Sequence, residues 1–208
     1  MSATAQRTRP EATAAAMPSP FTLRLRPVLD LTPDQLLELS SLNDDLRFEL
    51  TTDGELIIMA PASWSSTRRN AEIARQLGNW AIANGTGDVA DSSGGFNLPN
   101  GATRSPDAAW VAQAKIDALS PEQHERFADL CPDFIIELRS PSDRLSVAKR
   151  KMQEWIENGV QLGWLIDRKG KRVYVYRPDT PVEQLNNPAS VSGEPVLPGF
   201  ALDLRRIW

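Results

Sequence analysis

Pro132-Asp133-Phe134-Ile135-Ile136-Glu137-Leu138-Arg139-Ser140-Pro141-Ser142-Asp143-Arg144-Leu145-Ser146-Val147-Ala148-Lys149-Arg150-Lys151-Met152-Gln153-Glu154-Trp155 is an apolar run, a turn and an amphipathic segment in direct succession. The pattern predicts a strand, a tight turn and a helix running from Asp143 to Asn158. Glu137 interrupts the strand where burial is expected. A carboxylate among Phe134, Ile135, Ile136 and Leu138 is expensive to bury unless a cation or hydrogen bonds meet it, so a function is expected there. Strand side chains alternate, which puts Asp133, Ile135, Glu137 and Arg139 on one face and Phe134, Ile136 and Leu138 on the other. In the helix, Leu145, Ala148, Met152, Trp155 and Ile156 form the apolar stripe. Lys149 and Lys151 lie on its opposite borders and Arg150 is turned away; periodicity alone does not choose between the two lysines.

Upstream, Arg104 to Val111 is predicted as one strand carrying Pro106-Asp107, with Asp107 and Ala109 on the face opposite Ala108 and Trp110. Were this strand the neighbour of the central one, Asp107 and Glu137 would converge. Two adjacent carboxylates repel unless a cation sits between them, and Mg²⁺ is commonly held by one or two carboxylates plus water and substrate phosphate. Such a site activates water and stabilises in-line attack on phosphorus, and a nearby lysine would complete it.

The flanking sequence supplies the remaining elements. Residues 1–20, rich in Ala, Thr, Ser and Pro, are expected to be a disordered tail. Thr32-Pro33 opens a short helix, and Asp53-Gly54 turns a hairpin between Phe48 to Thr51 and Glu55 to Met59, expected at a sheet edge. Ser65 to Asn84 is helical, closed by Gly85. Short strands are expected at Thr86 to Ala90 and Phe96 to Leu98, and a helix-rich connection at Lys115 to Phe127. Gly163 to Asp167 and Arg172 to Arg177 form a second hairpin around Arg168-Lys169-Gly170-Lys171. Beyond Pro178 the chain is turn-rich, and Phe200 to Trp208 is expected to be a last strand. The sum is one α/β domain over residues 21–208 with a central mixed sheet flanked by helices.

Composition excludes several classes. One cysteine, Cys131, rules out an intrachain disulfide framework and a thiol-rich metal site, and one histidine, His124, argues against histidine-bound zinc. Neither has a partner that would make a nucleophile and base pair. No apolar run is long enough to span a bilayer, and the N-terminal residues lack the apolar core of a signal peptide, so a cytoplasmic protein without membrane association is expected. A net charge of -4 argues against a nucleic-acid coat but leaves room for a local basic groove.

Ser105-Pro106-Asp107, the segment Pro132 to Asp143, Lys151-Met152-Gln153-Glu154-Trp155, Asn158-Gly159-Val160 and Gly163-Trp164-Leu165-Ile166-Asp167 together resemble the Uma family of restriction endonucleases, long catalogued as a domain of unknown function. Phe48-Glu49-Leu50 and Asp53-Gly54-Glu55-Leu56 extend the resemblance, which spans roughly Leu31 to Trp208. It implies a restriction-endonuclease-like fold of the PD-(D/E)XK class and a divalent-metal site, Mg²⁺ or Mn²⁺, with Asp107 and Glu137 as the metal-binding acids. The lysine usual in that class two residues after the glutamate is replaced by Arg139, which stays protonated and cannot act as a general base. In the family the lysine has moved to the following helix, and the matching residue is Lys151.

The implied activity is hydrolysis of DNA phosphodiester bonds by Asp107, Glu137 and Lys151, with DNA as partner and a homodimer conceivable for double-strand cutting. The competing reading, suggested by the acidic balance and by Arg139, is an idle nuclease-fold module that binds DNA or a protein. Glu49 and Glu72 are outside candidates for a third acid, more simply read as a hairpin charge and a helix-surface charge. Arg68, Arg69 and Arg75 read as a solvated helix face, with phosphate contact as the alternative. Trp80, Trp110, Trp155 and Trp164 read as core or rim residues.

Overall fold

The computed structural model describes residues 20–140 and 143–208. The predicted tail, apart from Pro20, and two residues of the predicted turn, Pro141 and Ser142, lie outside the described residues. The chain begins with β1 (Phe21–Arg24) and α1 (Pro33–Ser41). Thr32 caps α1 reciprocally, its hydroxyl accepting from Gln35 N (3.2 Å) while Gln35 Oε1 accepts from Thr32 N (2.9 Å). β2 (Arg47–Leu50) and β3 (Glu55–Met59) form the Asp-Gly hairpin, and α2 (Trp64–Asn84) ends on Gly85, whose φ of 69° suits a residue without a Cβ. Then follow β4 (Gly87–Asp91), β5 (Phe96–Asn97), β6 (Thr103–Arg104), β7 (Ala108–Ala112), α3 (Gln113–Ile116) and α4 (Pro121–His124). The central unit is β8 (Phe134–Leu138), α5 (Leu145–Glu157) and β9 (Leu162–Asp167), followed by β10 (Arg172–Tyr176), β11 (Glu183–Asn186), β12 (Ser190–Ser192) and β13 (Ala201–Asp203).

A six-stranded mixed sheet in the order β11-β10-β9-β8-β7-β4 forms the centre of the fold. Only β8 and β9 run parallel, because α5 carries the chain back across the sheet between them. The alternation read in β8 is realised. Phe134, Ile136 and Leu138 pack with Ile73 and Leu77 of α2, whereas Ile135 packs with Met152 and Trp155 of α5. The two helices therefore cover opposite faces, and each strand of the centre must be apolar on both. Trp164 and Phe134 meet edge to face at 4.7 Å in the α2 layer. A second, five-stranded antiparallel sheet, β1-β3-β2-β6-β5, holds its own small core of Leu36, Phe48, Leu50 and Leu56. No described helix is long and apolar enough to cross a membrane.

Four sequence expectations are corrected. Arg104 to Val111 is not one strand: β6 belongs to the five-stranded sheet and β7 to the six-stranded one. The break falls at Ser105-Pro106-Asp107, where proline offers no N–H to a ladder and the chain crosses from one sheet to the other. The β2–β3 hairpin is not at an edge, since β1 pairs with β3 outside it and β6 with β2 on the other side. Of Phe200 to Trp208 only Ala201–Asp203 is strand; Ile207 N and Trp208 N return to Leu204 O and close a turn. The stretch read as turn-rich contains β11 and β12, both mostly exposed and ordered by pairing with β10 and β13.

Removing the Phe134 ring, which is fully buried, would leave a cavity beside Trp164 and Phe200. Phe134→Ala is expected to lower unfolding free energy by about 3–5 kcal/mol in a urea titration, against less than about 1 kcal/mol for an exposed residue such as Ile82.

Candidate active site

The break between β6 and β7 brings the two predicted acids together. In the β7–β8 ladder Ala108 lies opposite Ile136, so Asp107 stands one step beyond, beside the end of β8. Its carboxylate caps that strand: Oδ2 accepts from Leu138 N at 2.7 Å, and Oδ1 accepts from Asn70 Nδ2 of α2 at 2.7 Å. Asn70 Oδ1 is buried and has no hydrogen-bond partner among the described residues.

Glu137 projects toward α5, as alternation requires. Its Oε1 accepts from Trp155 Nε1 at 3.0 Å and lies 2.7 Å from Lys151 Nζ. The ammonium has two further oxygen neighbours, Glu49 Oε1 at 2.7 Å and Ser105 O at 3.0 Å. Glu49, on β2, is 2% exposed and also accepts from Ser105 N (3.2 Å) and Arg104 Nη1 (3.1 Å). Arg104 in turn donates from Nε to Glu154 Oε2 of α5 at 2.8 Å. Glu137, Lys151, Glu49, Arg104 and Glu154 thus form a chain of alternating charge that joins both sheets to one helix.

Burial dominates the electrostatics of the two acids. It pushes the Glu137 carboxyl up to about 7; Lys151 opposes the shift, and Asp107 and Glu49 add to it. Burial also raises Asp107, against the Leu138 N–H, Lys151, Asn70 and Arg47. Glu49 is withdrawn from water further than Glu137, yet Lys151 and Arg104 outweigh that cost and hold it below the ordinary carboxylate range. Burial alone would lower the Lys151 ammonium, but Glu137 and Glu49 raise it. The lysine is accordingly a fixed cation at neutral pH.

The acids suit a hard divalent cation. A carboxylate accepts about four hydrogen bonds, and Asp107 holds two donors, while Glu137 Oε2 takes none among the described residues. No group of three or more His, Cys, Asp and Glu set to hold a metal occurs among the described residues. A pair of carboxylates completed by water and a phosphate oxygen is how Mg²⁺ is usually bound, and this donor set fits it. The alternating chain begins and ends on carboxylates, and Asp107 beside it adds another negative charge for a cation to offset.

A family model described as "Putative restriction endonuclease", Uma2, matches residues 33–205. The chain belongs to the Uma2 family. A crystal structure described as "a putative nuclease belonging to DUF820 from Anabaena variabilis ATCC 29413" shares the fold of this Uma2 chain, with a TM-score of 0.69 and 18% identity over 85% of this chain and 97% of that one. Among curated proteins none matches. Family and fold together support a nuclease of restriction-endonuclease-like architecture.

Other predicted candidates fall away from this cluster. Lys149 lies over the Tyr174 ring, 4.0 Å from its centroid. Arg139 leaves Glu137 alone: Nη1 donates to Asp167 Oδ1 at 2.6 Å, and Nε and Nη2 donate to Asp143 O. Glu72 is engaged with Arg75, Gln76 and Arg206. Burial pushes the Cys131 thiol up to about 11, which leaves it inert. Three participants have no sequence signal of their own, namely Arg104, Asn70 and the indole N–H of Trp155. Glu49, an outside candidate in the sequence, proves to be the most deeply buried charged group of the cluster.

The Glu137 shift has a measurable sign. Its folded carboxyl keeps a proton to about pH 7 where the unfolded one releases it near 4.5, so the folded state binds more protons across that window. The associated stability is complete below the lower value and is lost as pH rises through the upper one, a change of order 3 kcal/mol. Thermal melting in EDTA should therefore show Glu137→Gln gaining on the natural protein between pH 4.5 and 8; parallel curves would refute the assignment.

Proposed function

We propose that the protein is a metal-dependent endonuclease hydrolysing DNA phosphodiester bonds, with Asp107 and Glu137 holding Mg²⁺ or Mn²⁺ and Lys151 as the catalytic cation. The observation that carries this reading is the ammonium of Lys151 standing 2.7 Å from Glu137, beside Asp107, at the end of the central strands. When bound, the divalent ion would supply Lewis acidity, lowering the pKa of a bound water and drawing charge from phosphate oxygens.

The chain's own groups define the rest. Asp107 is oriented by Leu138 N and Asn70 and keeps its remaining lone pairs for a cation. Trp155 fixes Glu137 through Oε1 and leaves Oε2 free. Lys151, kept protonated by two acids, does not act as a base; its role is to orient the attacking water by hydrogen bonding and to offset charge growing on the phosphate. Its three N–H donors face three oxygens, so it serves a substrate only by releasing one. Glu137 is the partner most easily drawn away, its side chain 14% exposed against 3% for Glu49.

Supercoiled plasmid incubated with Mg²⁺ or Mn²⁺ tests the reading. The natural protein should nick it, Glu137→Ala and Asp107→Ala should abolish nicking, and Lys151→Ala should slow it roughly 10²–10³-fold. Cutting at the natural rate by Glu137→Ala would overturn the site, and absence of both cutting and calorimetric metal binding in the natural protein would overturn the enzyme.

A further inference from the structure

Three arginines gather at the catalytic end of the six-stranded sheet without a carboxylate partner among the described residues. Arg68 and Arg69 occupy the second turn of α2, directly before Asn70, which holds Asp107. Their described hydrogen bonds go only to backbone carbonyls: Arg68 Nη1 to Arg206 O (3.2 Å), Arg69 Nε to Ile207 O (2.7 Å) and Arg69 Nη1 to Ser65 O (2.6 Å). Arg168 begins the β9–β10 turn. Its Nε is buried and has no hydrogen-bond partner among the described residues.

These residues belong to the same end of the molecule as the acids. β8 and β9 are parallel with Leu138 opposite Ile166, so Asp167 and Arg168 leave the sheet where Glu137 and Asp107 meet. The one carboxylate at this turn, Asp167, is already taken by Arg139 at 2.6 Å. After burial, the charges of Arg168 and Arg68 are what hold the Arg69 guanidinium below its ordinary value, so the three stand within electrostatic reach of one another. Exposed Lys169 and Lys171 continue the turn. By contrast, nearby Arg75, Arg205 and Arg206 each pair with an acid. In a chain of net charge -4, an uncompensated cationic cluster beside the acidic site calls for an anion.

We infer that Arg68, Arg69 and Arg168 form a phosphate-binding patch that grips the nucleic-acid backbone beside the scissile bond. Guanidinium groups suit this task because each offers forked donors to phosphate oxygens. The patch positions the strand and carries no sequence preference. For its substrate the inference rests on the nuclease proposal above, but its test does not depend on turnover.

Binding of a fluorescent duplex by the full chain in EDTA is measured by anisotropy across salt concentrations. Arg68→Gln with Arg168→Gln should weaken binding roughly 10-fold near physiological salt and lower the slope of log affinity against log salt by about 2, uniformly across duplex sequences. Arg68→Lys with Arg168→Lys should keep most of the slope. Arg177→Gln, at the other end of the β9–β10 pair, should change neither quantity. Should the double variant fail to fold, Arg168→Gln alone carries the test, with a slope loss of about 1. Natural affinity and slope in folded patch variants, or an equal loss in Arg177→Gln, would overturn the patch while leaving any Glu137-dependent cleavage standing. A patch-dependent slope in a protein that never cuts would instead overturn the nuclease and leave the patch.

Discussion

An ammonium wedged between two carboxylates largely withdrawn from water is the contact on which the two sheets of this protein depend for their mutual placement. Lys151 comes from α5, Glu49 from the five-stranded sheet and Glu137 from the six-stranded one, so a single nitrogen bridges three elements. Such a contact is a poor source of net stability, because desolvating the ions offsets most of their attraction. Its strength lies in what happens when a partner is missing: a charge is left buried and unmatched, at a cost of several kcal/mol. Arg104 extends the same logic by joining Glu49 to Glu154, so the alternatives to this arrangement are penalised at several points together. The cluster and the apolar packing of α5 thereby act together on the position of the acids.

The same balance explains why the site is chemically poised. Glu49 has two cations within contact and stays ionised, whereas Glu137 shares one cation with Glu49 and has a second acid beside it. Two buried carboxylates sharing one ammonium are therefore driven to opposite sides of their ordinary value, the first as a permanent anchor and the second as a group whose charge depends on what is bound. The surrounding field follows the same division. Lys151 and Arg104 are consumed in ion pairs with the buried acids, while Arg68, Arg69 and Arg168 at the rim have no carboxylate partner among the described residues.

What the sequence made legible followed from local periodicity. Strand alternation assigned Glu137 to the face of Ile135, and helical spacing put Lys151 at the border of the Met152 and Trp155 stripe; both placements are those of the folded chain. Pro106-Asp107 sits inside a stretch whose pattern reads as one strand, and the change of sheet there is not visible, since a two-residue strand such as Thr103–Arg104 has no period to detect. β1, β11 and β12 were missed for a related reason: they are mostly exposed and ordered by their neighbours, so hydrophobic pattern says nothing about them. Glu49 was legible as a hairpin charge and no more. Its partner is 102 residues away, and no local signal encodes a contact of that range. Trp155, read from the sequence as core or rim, is core, but an indole buried for its ring also brings an N–H that must be satisfied, and Glu137 satisfies it.

Arg139 shows why the cation of the site comes from a helix. By alternation it shares the face of Glu137, yet its guanidinium is drawn past the cluster to Asp167 and to the Asp143 carbonyl, where it ties the end of β9 to the start of the α5 connection. With that position given to architecture, the ammonium comes from α5 instead. Lys151 and Trp155 are four residues apart in α5 and so lie one above the other on the same face. Both address a single oxygen of Glu137, from Nζ at 2.7 Å and from Nε1 at 3.0 Å, and the other oxygen accepts no hydrogen bond among the described residues. A lysine on the strand would be fixed relative to the glutamate by the backbone between them. Here the two are fixed by the packing of α5 through Met152 and Trp155 against the sheet, so the seating of that helix and the orientation of Glu137 become one and the same variable.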